Sequence, residues 1–138
     1  TSESKTPSLS SVYALSKYDQ ERMCLMIGRA YNIPTVALRF FNVYGPRQSL
    51  SNPYAGVAAI WLSRLLNDRQ PVVFEDGGQL RDFVSIHDVV DCLTLMIETP
   101  GADYLPVNVG SGATRMRIPP SRNGPAVVET VIQSARLV

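Results

Sequence analysis

The sequence predicts an α/β chain built on a parallel sheet, and three observations predict it. A long helical pattern over residues 12–31 is stopped by Asn32 and Pro34. A β-rich run, Thr35-Val36-Ala37-Leu38-Arg39-Phe40-Phe41, follows directly and reads as a buried strand. Further along, a helical pattern over residues 88–98 precedes another short strand, Pro106-Val107-Asn108-Val109. A strand that follows a helix so closely is half of an α/β unit, and such units place their strands in parallel.

Residues 1–9 are rich in Ser, Thr and Pro and read as a loop. Ser10 or Ser11 can cap the first helix. Its face is mixed: Val12, Leu15, Tyr18, Arg22, Leu25, Met26, Arg29 and Ala30 stand against the polar Asp19, Gln20 and Glu21. After the strand at 35–41, residues Asn42 to Arg47 read as a loop leaving its carboxyl end, where open α/β sheets bind ligands. Pro53 suits the first turn of a helix at about 54–67, whose apolar stripe is Val57, Ile60, Trp61, Leu65 and Leu66. Val72 to Glu75 is a short strand, Asp76-Gly77-Gly78 a turn, and Leu80 to Ile86 a second strand. Asp88 opens the third helix with an acidic residue that suits the helix dipole. The strand at 106–109 ends in Gly110-Ser111-Gly112. Residues 113–125 have no periodic pattern, and Ala126 to Leu137 can form one more helix.

The 138 residues suffice for one domain with a core. With 45% hydrophobic and 18% charged residues the chain is globular rather than disordered. A formal net charge of +1 gives no electrostatic case for nucleic acid or an anionic membrane. The apolar runs are far shorter than the roughly 18 residues a membrane span needs, and no signal-peptide pattern opens the chain. Cys24 and Cys92 lie in helical patterns without metal-ligand spacing, so both are expected to be buried thiols in a reducing cytoplasm.

The chemistry-bearing stretch is Ser10-Ser11-Val12-Tyr13-Ala14-Leu15-Ser16-Lys17. It places Tyr13 and Lys17 four residues apart, on one helix face. An ammonium close to a phenol favours the phenolate, which is what a general acid/base requires. By spacing alone the pair reads instead as a tyrosine at a core edge beside a solvated lysine.

Four segments, in order, decide between these readings. Tyr13-Ala14-Leu15-Ser16-Lys17 resembles the Tyr-x-x-x-Lys of the extended short-chain dehydrogenase/reductase family, specifically its nucleotide-sugar epimerases and dehydratases. Leu38-Arg39-Phe40-Phe41-Asn42-Val43-Tyr44-Gly45-Pro46 resembles that family's strand and loop below the nicotinamide. Phe74-Glu75-Asp76-Gly77, with Arg81-Asp82-Phe83-Val84, resembles the substrate-domain hairpin, and Asn108-Val109-Gly110-Ser111-Gly112 a late strand and turn. The likeness covers residues 1–112 or so.

The resemblance implies the C-terminal part of a Rossmann-like parallel sheet plus a small α/β substrate domain. Residues 1–47 would complete the NAD-binding domain, 48–112 would form the substrate-binding portion, and 113–138 a divergent tail. It implies NAD as cofactor and a UDP- or dTDP-sugar as substrate, with hydride transfer at the sugar 4-position. Tyr13 would exchange the proton of a sugar hydroxyl, and Lys17 would hold the cofactor ribose. Phe40 and Phe41 would wall the nicotinamide pocket, although the residues alone read as plain strand core. Asn42 would bind the substrate diphosphate, where the residues alone also allow a left-handed turn asparagine. Arg81 would clamp the nucleotide phosphates with its planar fork, or else pair with Asp82 or Glu75. Phe74 resembles the segment beside the nucleobase, and Asn52 lies in a stretch similar to that of 4-epimerases acting on dTDP- or UDP-sugars. The Tyr13 helix would be the seam of a homodimer.

Departures temper the likeness. The Gly-x-x-Gly-x-x-Gly turn that cradles a dinucleotide pyrophosphate is not among these residues. Where the family carries a histidine after Arg-Asp-Phe-Val, Ser85 stands, and His87 reads as a helix-start residue. The expectation is a portion of an NAD-dependent nucleotide-sugar 4-epimerase or dehydratase in the cytoplasm. Its rival is a non-catalytic module that binds a nucleotide sugar or a protein partner without turnover.

Overall fold

The computed structural model describes residues 2–49, 56–72, 80–112 and 116–117. They form two compact units. One comprises residues 1–40 and 90–109, the other residues 41–89 and 110–138.

The first unit is organised by helix α1, Val12–Tyr31. The Ser11 side chain accepts a hydrogen bond from the Ala14 N–H, which satisfies one of the first-turn donors. At the other end Asn32 adopts the left-handed conformation and its N–H closes on the Gly28 carbonyl. Gly28 is required by close approach: a Cβ there would run into the Thr35 side chain and the Ile33 carbonyl. The chain therefore turns tightly into strand β1, Ala37–Phe40. This strand pairs in parallel with β5, Pro106–Val109, in the register Ala37 to Pro106 and Phe40 to Val109. The expected strand at 35–41 is shorter at both ends. Leu25 and Gly28 are the buried residues of α1, and Val109 is buried on β5.

The inward face of α1 differs from the expected one. Glu21, counted among the polar outer residues, points to β1 and meets Arg39. Cys24 is exposed and Cys92 half-buried, both free thiols, so neither is the buried thiol expected, and Cys24 departs furthest. Its neighbour Leu25 takes the inward position, and one residue along a helix turns a side chain by about 100°.

The second unit corrects two boundaries. Asn42–Tyr44, expected as loop, is strand β2. It pairs in parallel with β4, Phe83–Ser85, matching Asn42 to Phe83 and Tyr44 to Ser85. The expected strand over Leu80 to Ile86 is interrupted at Asp82. Leu80–Arg81 forms β3, which pairs antiparallel with β6, Met116–Arg117. Ile86 already belongs to helix α3, Ile86–Ile97, whose His87 N–H is accepted by the Ser85 hydroxyl. Gly45 packs against Ile86, where a Cβ would collide with the side chain. Helix α2, Val57–Leu66, buries Ala59 and Trp61, and the indole N–H donates to the Val72 carbonyl. Val84 and Val89 are buried as well. Beyond Val72, the strand and turn expected at 72–78 lie outside the described residues, as do the helix expected at 126–137 and candidate residues Asn52 and Phe74. No helix among the described residues is long and apolar enough to cross a membrane.

Candidate active site

Tyr13 and Lys17 occupy the first two turns of α1. The Lys17 ammonium lies 5.8 Å from the centre of the Tyr13 ring. Tyr13 is 71% exposed, and Lys17 is exposed too, donating to Gln20 Oε1 at 3.2 Å. The Ser16 hydroxyl donates to the Tyr13 carbonyl, so it serves the helix backbone. The pair is thus presented on one face, as the spacing predicts, with the phenol accessible. An ammonium has three donors, and Gln20 accepts from one of them. The donor set fits a diol such as a ribose, together with a phenol free to reach a second hydroxyl.

A different pair fastens this helix. Arg39 on β1 holds Glu21 in a two-pronged ion pair, Nε to Oε2 at 2.6 Å and Nη2 to Oε1 at 2.7 Å. The Arg39 guanidinium keeps the Glu21 carboxyl below its usual range, and Glu21 in turn raises Arg39. Arg39 Nη1 also donates to the Glu3 carbonyl, while the Glu3 carboxylate accepts from the Asn108 N–H of β5. That hydrogen bond from Asn108 holds the Glu3 carboxyl below its ordinary value. Sequence reading passed over Glu3, Glu21 and Arg39. The available signal was Arg39 itself, a cation inside an apolar strand, which needs a partner wherever the strand is covered.

Phe40 ends β1 and is 48% exposed, which makes it an open surface rather than strand core. In the second unit, Phe41 and Asn42 converge on Asp82 and the turn that follows β5. Asn42 donates to the Asp82 carbonyl twice, from its backbone N–H and from its side-chain Nδ2, both at 3.0 Å. It lies in a strand, so the left-handed turn reading fails. The Asp82 carboxylate accepts from the Ser111 N–H and, at 2.5 Å, from the Ser111 hydroxyl. Gly110 leaves room for Asp82 and for the Phe41 ring, whose Cδ2 lies 3.1 Å from where a Cβ would stand. Arg81, beside Asp82, is exposed and donates to the Leu80 carbonyl. Asp82 and Ser111 are the organisers of this cluster that residue-by-residue reading missed. His87 sits in the first turn of α3, as expected.

The sequence profile of the NAD dependent epimerase/dehydratase family matches residues 1–110. The chain belongs to that family. Its relatives within the NAD dependent epimerase/dehydratase family include the dTDP-L-rhamnose 4-epimerase of Burkholderia thailandensis, 38% identical over 107 residues, or 77% of this chain and 29% of that protein. Among solved structures, the UDP-N-acetylglucosamine 4-epimerase from Methanobrevibacter ruminantium, in complex with UDP-N-acetylmuramic acid, is 35% identical. It superposes with a TM-score of 0.76 over 86% of this chain and 37% of that one. The Thermus thermophilus UDP-glucose 4-epimerase complex with NAD gives a TM-score of 0.74 at 31% identity, covering 99% and 42%. The fold is therefore Rossmann-like α/β, and NAD is the cofactor of the family. The chain spans about a third of the length of the relatives that it matches.

Proposed function

We propose that this chain supplies the Tyr-x-x-x-Lys helix and part of the substrate-binding portion of an NAD-dependent nucleotide-sugar 4-epimerase or dehydratase. The observation that carries the reading is the exposed Tyr13–Lys17 pair at the start of α1, within a family match that runs over residues 1–110. Lys17 holds the ribose hydroxyls of the cofactor. Tyr13 Oη exchanges a proton with the sugar 4-hydroxyl. NAD, when bound, supplies the hydride acceptor. Phe40 and Phe41 line the nicotinamide side. Asn42 and Arg81 contact the diphosphate of a UDP- or dTDP-sugar, Arg81 through its planar fork, and Asn52 and Phe74 complete the sugar and base contacts. In this reading residues 1–47 belong to the cofactor domain, 48–112 to the substrate portion and 113–138 to a divergent tail. The enzyme works in the cytoplasm as a homodimer seamed along the Tyr13 helix.

The rival reading is a module that binds a nucleotide sugar without turnover. Calorimetric titration of the 138-residue chain separates the two. The enzyme reading expects saturable NAD binding that Lys17→Ala weakens about tenfold, the loss of one charge-assisted contact. Binding of UDP- or dTDP-sugar with no NAD binding would transfer the conclusion to the rival reading.

A further inference from the structure

A concavity of the first unit lies away from Tyr13 and Lys17. It is a cleft of about 460 Å³ between the segment 3–7 and the side of α1 that carries Tyr18, Arg22 and Arg29. At about 100° per residue these three share a helix face, and Tyr13 and Lys17 lie roughly 140° around the axis from it. The volume is that of a small-molecule site.

Its charges do not balance. Four cations and two carboxylates line it. Both carboxylates are engaged: Glu21 holds Arg39, and Glu3 accepts from the Asn108 N–H. Arg29 donates to the Tyr104 carbonyl, which fixes the guanidinium but leaves its charge uncompensated. Lys5 and Arg22 form no ion pair with a carboxylate among the described residues, and Arg22 acts on Glu21 only through space. The remaining wall includes Tyr18, Leu25 and Met26, an aromatic ring and two aliphatic chains. The cleft thus offers about two unanswered positive charges beside an apolar surface.

We propose that this cleft binds a phosphate monoester carrying an apolar body. The Arg22 fork and the Lys5 ammonium take the phosphate oxygens, since a guanidinium matches their geometry in two-pronged fashion and a lysine serves as a point charge. The Tyr18 ring and Met26 cover the apolar part. The latch made by Glu3, Arg39 and Asn108 holds the outer wall in place. This site is independent of the nucleotide-sugar reading, because it uses another face of the helix.

The test is an NMR titration of the 138-residue chain with phenyl phosphate, inorganic phosphate and benzyl alcohol. Phenyl phosphate is expected to give saturable shifts in the amides of residues 4–7 and 18–29. Inorganic phosphate should bind at least about tenfold more weakly, and so should phenyl phosphate to a chain carrying Lys5→Gln and Arg22→Gln. Both substituted side chains are exposed, and the spectrum itself reports whether the variant is folded. Tyr13→Phe should leave the affinity unchanged. The proposal is overturned if phenyl phosphate gives no saturable shift at about 10 mM, if the double variant binds as well as the parent, or if benzyl alcohol binds equally well.

Discussion

Helix α1 carries two polar pairs that behave in opposite ways. Tyr13 and Lys17 stand on its first turns, exposed, with the ammonium near the ring and no hydrogen bond joining the two side chains among the contacts seen. Two turns on, Glu21 is locked to Arg39 of β1 by two short bonds, with the two side chains 12% and 27% exposed. The residue types are similarly polar, yet one pair holds the helix to the sheet and the other is left for a ligand. A group that must exchange protons with a substrate has to keep its hydrogen-bonding capacity unspent. A group that fixes a helix does the reverse. The fastening therefore lies along the same helix as the proposed chemistry, but outside it.

Four substitutions or conditions press on that contrast, beginning with the largest. In an assembly of this chain that turns over a nucleotide sugar, Tyr13→Phe should lower kcat by about 10²- to 10⁴-fold, the usual worth of a general acid/base. The urea midpoint should not move, because the ring is mostly exposed. Retained turnover would remove the acid/base role from Tyr13. Arg39→Ala should act the other way and destabilise the first unit by about 2–3 kcal/mol, since it leaves Glu21 charged and half-buried without its partner. A double-mutant cycle with Glu21→Gln should then show coupling of about 1 kcal/mol or more, and additive effects would mean that the pair is ornamental. Gly28→Ala should cost about 1–2 kcal/mol, because the Ile33 carbonyl is backbone and cannot swing aside.

The smallest effect is in acid. The folded-state value of the Glu21 carboxyl is depressed. Its contribution to stability is therefore present above the unfolded glutamate value of about 4.3 and is lost as pH falls through the lower folded value. Acid titration of the urea midpoint should show this loss, and Glu21→Gln should flatten it. An unchanged acid limb in that variant would assign the loss to other carboxylates.

What was readable in the sequence followed how local each interaction is. The bounds of α1 were legible because its stops are local: a serine cap at one end, and Asn32 with Pro34 at the other. The Tyr13–Lys17 face was legible for the same reason. Strand β5 was found as expected. Strand β2 was not, because Asn42-Val43-Tyr44 is too short to show a period and owes its form to Phe83–Ser85, some forty residues on. Asp82 was equally opaque. It reads as one more residue in a β-rich run, and only the arrival of Asn42 and Ser111 shows why the strand breaks there. The Arg39–Glu21 pair falls between these cases. Each charge was visible, but the meeting of helix and strand that joins them was not.

The buried indole of Trp61, bonded to the Val72 carbonyl, has a practical consequence. It is the single tryptophan of the chain and belongs to the second unit, whereas the twenty-residue helix α1 belongs to the first. Fluorescence at the red edge therefore watches one unit, and far-ultraviolet circular dichroism draws heavily on the other. Melting curves recorded by the two methods on one sample would reveal whether the units lose their structure at one temperature or at two.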